Sequence, residues 1–129
     1  MATIENARDP VNELYDRGCE LVEAATAMRR AAAAADVARA APAVLSCFET
    51  ALDEMVDTSA ALERVTHQAV SERGIDTDAE WHERHARMRS GFSHLHRSLR
   101  DARDLAAAAR TRTSRALTGA GLTRARTPG

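Results

Sequence analysis

The chain contains no lysine, only four aromatic residues, three prolines, six glycines and two cysteines in 129 residues. Aromatic and β-branched side chains are what a pleated sheet packs with, so their scarcity weighs against a β-rich fold. Cysteines 19 and 47 are too few for a disulfide framework. The helical register derived below sets them ten residues apart along the bundle, roughly 15 Å, too far to bridge. Free, semi-buried, inert thiols in a reducing cytoplasm are therefore expected. Long apolar runs are missing too. The stretch from Ala40 to Thr50, interrupted by Glu49, is about half of what spans a bilayer. The first ten residues carry Glu5, Arg8 and Asp9 around no apolar core, and do not read as a signal peptide.

What is abundant forms helices. The chain has 28 Ala and 18 Arg, with Glu and Leu prominent among the rest. At 44% hydrophobic it is apolar enough to fold. About half of that is alanine, which buries little area per residue, so the expected core is narrow.

Three stripes of apolar and small residues recur at spacings of three and four. Asp9-Pro10 reads as an N-cap followed by proline at the first helical position, and opens the stripe Val11, Leu14, Gly18, Leu21, Ala25, Met28, Ala32. The segment from Asp36 to Pro42 interrupts it. A second stripe, Leu45, Phe48, Leu52, Met55, Ser59, Leu62, Thr66, is out of step with the first by one residue, which argues for a real break. Gly74 and Ile75 suit a helix end, and Thr77 with Glu80 suits a capping box. The third stripe is Trp81, His85, Met88, Phe92, Leu95, Leu99, Ala102, Ala106, Ala109.

Short connections imply antiparallel neighbours, so the chain is expected to be an all-α, up-down-up three-helix bundle. Folding the stripes at the breaks places Phe92 level with Gly18 and Ser59, Phe48 with Met28 and Ala102, Leu45 with Ala32 and Ala106, and Thr66 with Val11 and His85. Large residues repeatedly face small ones, as close packing requires. One domain is expected over residues 1–110, with residues 111–129 a frayed or disordered basic tail.

Charge is distributed unevenly behind a formal total of −1. Residues 1–83 carry 7 Arg against 17 acids, a net of −10, and residues 84–129 carry 11 Arg against Asp101 and Asp104, a net of +9. His82, Arg89, His96 and Arg103 repeat every seven residues along one flank of the third stripe, where bundle helices place charges that pair with a neighbour. The acids Glu49, Asp53, Glu54 and Asp57 of the second helix, and Asp16, Glu20 and Glu23 of the first, are the expected partners. Arg110, Arg112, Arg115, Arg124 and Arg126 extend beyond this pairing and suit an acidic protein or nucleic acid. No aromatic residues accompany them for base stacking.

Other chemistry is thin. Glu63 with His67, and His82 with His85, lie one turn apart on neighbouring helix ends, a spacing that suits a divalent metal. The competing reading is a boundary histidine whose ring nitrogen is satisfied by Thr66, plus surface histidines. Met28, Met55 and Met88 fall on the stripes and read as packing rather than haem ligation. Gly119-Ala120-Gly121 has no preceding strand or following helix and is no phosphate loop. No catalytic constellation is evident and no cofactor is expected. An apolar row on the second helix, Val44, Ala51 and Val65, exceeds what one packing face needs. The expected function is a non-catalytic, cytoplasmic helical interaction or scaffolding module that self-associates into a homo-oligomer without contacting membranes. The alternatives are electrostatic binding through the C-terminal arginines and metal binding by the Glu/His cluster.

Overall fold

Asp9 caps the first helix as its sequence anticipates. In the computed structural model, which describes residues 9–33, 35–73 and 79–122, its Oδ1 accepts the Val11 N–H at 3.0 Å. Pro10 takes the first position of α1 (Pro10–Ala31), where a missing N–H costs nothing. A 3₁₀ turn, Ala35–Ala40, separates α1 from α2 (Ala41–Arg73). Pro42 falls inside the first turn of α2, so the break precedes it, and the ring sits where no backbone hydrogen bond is lost. Gly74, Ile75 and Thr77 lie outside the described residues. The third helix, α3, spans Ala79–Gly119. The described residues are helical throughout apart from short caps and turns, with no strand. None of these helices is long and apolar enough to cross a membrane.

The chain divides into two compact units, Met1–Ala38 and Arg39–Gly129. The first holds α1, whose Arg17 bridges Glu13 at 2.8 Å and Glu20 at 2.9 Å on its own surface. A single amphipathic helix has nothing of its own unit to close on, and no residue of α1 is buried.

The second unit is a long antiparallel hairpin. Contacts across it run in opposite senses along the two helices: Glu49 meets Arg110, Asp53 meets Arg103, Glu63 meets Arg89 and His67 meets His85. At 1.5 Å per residue the 33 residues of α2 extend about 50 Å, and the 41 of α3 about 60 Å. Small residues mark the closest packing. Ser59 is 5% exposed and Ala106 is also buried, at the levels where the stripes place Phe92 and Leu45 opposite them. The Ser59 hydroxyl donates to the Val56 carbonyl at 2.9 Å, so its burial leaves no unpaired polar group. No large side chain among the described residues is fully enclosed.

α3 corrects the expected boundary at residue 110. It continues through Thr111–Gly119, where the apolar stripe has faded but Arg, Ala and Leu keep good helix propensity. The Thr111 and Thr118 hydroxyls donate to carbonyls one turn back, at 3.2 and 2.8 Å. The helix then stops on a Schellman turn: Leu122 N–H donates to the Leu117 carbonyl at 2.8 Å and Gly121 N–H to the Thr118 carbonyl at 3.0 Å. Gly121 has φ 74°, the left-handed conformation this turn demands. A Cβ there meets no atom within 4 Å, so the penalty for substitution is conformational alone. Gly121→Ala is expected to cost about 1–2 kcal/mol locally, read as faster amide hydrogen exchange at residues 117–122 with the rest of α3 unchanged.

Candidate functional site

The hairpin has two unlike faces, because three- and four-residue spacing sorts each helix into flanks on either side of the seam. One face is polar. From α2 it presents Glu49, Asp53, Glu63 and His67, and from α3 it presents His85, Arg89, His96, Arg103 and Arg110. The Glu49 carboxylate holds Arg110 through two contacts, the longer 3.3 Å. That guanidinium keeps the carboxyl below its ordinary range, with the hydrogen bond as the largest cause and desolvation opposing it. Asp53 Oδ1 lies 3.1 Å from Arg103 Nε, although that nitrogen is buried without a well-directed hydrogen bond. Glu63 and Arg89 are looser, at 3.8 Å. Apart from the more enclosed Glu49, these groups remain open to solvent, so the pairs fix register more than they add stability. A shallow groove on this face is lined by Ala60, Glu63, Ala86, Arg89, Ser90 and His96.

At the end of the hairpin nearest the α2–α3 connection, two histidines face each other. His67 Nδ1 and His85 Nε2 are 2.9 Å apart, with ring planes 12° from parallel. Trp81, one turn before His85 on α3, lies nearly parallel to that ring with centroids 5.0 Å apart, and meets His82 edge-on at 4.9 Å. A hydrogen bond between two imidazoles needs one N–H and one lone pair, so His67 and His85 cannot both be protonated while it persists. Desolvation is the main reason His85 titrates below the ordinary value of 6.5, and the nearby His67, Arg89 and His82 add to it.

The sequence-derived candidates disperse over this frame. Of Glu63, His67, His82 and His85, the geometry brings His67 and His85 together. Glu63 turns to Arg89 and His82 to the edge of Trp81. Among the described residues no three His, Cys, Asp or Glu side chains converge as a metal centre needs. The expected partner of His85, Thr66, is replaced by the adjacent His67, whose longer side chain reaches the imidazole. Cys19 and Cys47 are free, and both are exposed rather than semi-buried. Arg89 and Arg103 pair with α2 as their seven-residue repeat suggests. Arg110 belongs with them rather than with a tail, and the same repeat carries on to it from Arg103. Arg112 and Arg115 lie exposed near the end of α3, and Arg124 and Arg126 lie outside the described residues.

The opposite face is largely apolar, although Arg84, Ser98 and Arg112 share the α3 row of Leu105. Phe48, Met55 and Leu62 flank the seam on α2, with Val44, Ala51 and Val65 beyond them. Met88, Leu95 and Ala102 flank it on α3, with Leu105 beyond. Four of these are widely open to solvent: Phe48 at 43%, Leu95 at 45%, Val65 at 54% and Leu105 at 70%. Compared with protein families, curated proteins and solved structures, the chain matches none.

Since the unfolded chain protonates at residue 85 more readily than the folded one, acid favours unfolding there. Stability of the hairpin is expected to fall as pH drops through 6.5 and to be unaffected by this group above it. A second loss, from Glu49, belongs below pH 4.5. His85→Gln is expected to flatten the first decline and leave the second, in thermal melts followed by circular dichroism from pH 8 to 4.

Proposed function

We propose that the protein is a non-catalytic helical interaction or scaffolding module that self-associates through the apolar face of its α2–α3 hairpin. The observation that carries this reading is the sidedness of the hairpin: four large apolar side chains stand exposed on the face opposite its ion pairs. Two helices have one seam between them and cannot enclose a core, whereas four can. An exposed apolar surface rimmed by polar residues is characteristic of interaction sites. A reducing compartment suits the reading, because exposed Cys19 and Cys47 would remain thiols there.

Light scattering on the full chain is expected to give a homo-oligomer at micromolar concentration. The double variant Val65→Glu with Leu105→Glu is expected to weaken association by at least about tenfold, since each carboxylate would be desolvated unpaired at the contact. Both positions are solvent-exposed, so helicity should be retained. A wild-type monomer throughout the accessible concentration range would overturn the reading.

A second reading rests on the exposed arginines Arg112 and Arg115, together with Arg124 and Arg126 further along the chain. These suit an acidic protein or a nucleic acid held by charge. Removing residues 111–129 should then abolish retention on heparin and on duplex DNA at low salt. Unchanged retention would dismiss this alternative.

A further inference from the structure

Resting on the self-association reading, we infer that the occupant of the apolar face is the same face of a second copy, with α2 of each copy lying against α3 of the other. The arrangement makes an antiparallel four-helix bundle with its polar faces outward.

Size is the first argument. A face about 50 Å long and about 18 Å wide, two helices at their usual interaxial spacing, offers roughly 900 Å² per copy. A standard stable interface needs about 800 Å² per partner. Phe48, Val65, Leu95 and Leu105 are distributed over both helices, so the contact extends along the hairpin instead of forming a local spot.

Charge selects the orientation. α2 has six acids against Arg64 and Arg73, a net of −4. α3 has nine arginines against four acids, a net of +5. Two ways of closing the faces with a two-fold axis are available. An axis perpendicular to the helices sets α2 on α2 and α3 on α3, opposing like charges. An axis parallel to the helices sets each α2 on the other copy's α3, so that every acidic helix has basic neighbours on both sides. Like-charge apposition is penalised and opposite charge fixes register, so the parallel axis is favoured.

That axis preserves height along the bundle, which makes the arrangement testable with a thiol already present. Cys47 is exposed on α2 at the rim of the apolar face, level with residue 105 of α3, since it stands as far before His67 along α2 as residue 105 stands after His85 along α3, and Glu63 with Arg89 keeps the same offset. The full-length variant Cys19→Ser with Leu105→Cys is oxidised under mild conditions and mapped by mass spectrometry, alongside light scattering of the reduced protein. Covalent dimers linked between positions 47 and 105 of different copies are expected, at least about tenfold over either like-with-like link. Links joining 47 to 47 or 105 to 105, or an oligomer with no link, overturn the orientation and leave self-association standing. A monomer, as would follow if another segment of the same chain filled the face, overturns both.

Discussion

A pair of antiparallel helices has a single seam, and whatever lies off that seam remains at the surface. This limit governs the second unit of the protein. Among the described residues its buried ones, Ser59 and Ala106, are small and lie on the seam, while Phe48 and Leu95, which flank it, remain substantially exposed. Alanine supplies much of the apolar content, so the helices can approach closely but bury little area in doing so. The unit therefore combines clear sidedness with a shallow interior, and its apolar side has the length and width of a protein interface.

The polar side follows from the same geometry. Once the seam fixes which residues are level, acids of α2 and arginines of α3 meet in order, from Glu49 with Arg110 to Glu63 with Arg89. Exposed pairs of this kind contribute little energy one by one. Their effect is on register, because sliding one helix past the other by a turn would set several of them against the wrong partners. The net charge of −1 thus conceals an acidic helix held against a basic one.

The histidine pair belongs to this register as well. His67 and His85 come from different helices and share one hydrogen bond, and Trp81 lies against His85. Desolvation, reinforced by the neighbouring His67, Arg89 and His82, makes His85 favour its neutral form. In chemical character this end of the hairpin differs from the rest, where ion pairs and apolar side chains prevail.

Much of this was legible in sequence. Asp9-Pro10 sets the start of α1 through local backbone chemistry, and the spacing of Leu52, Ser59 and Phe92 sets the helical faces and the α2–α3 levels. The seven-residue repeat through Arg89 and Arg103 announces their pairing with α2. These features depend on neighbours within a turn or two, or on periodicity, and a sequence records both. Tertiary structure decided the rest. Whether His85 meets Thr66 or His67 turns on one residue of helical phase and on side-chain reach, and Arg110 joins the ion-paired flank because α3 outlasts its apolar stripe. The Schellman turn at Gly121 depends on where that helix ends, which propensity alone does not fix. The division of the hairpin into a polar and an apolar face needed both helices in place, since a side chain's exposure is set by what stands opposite it.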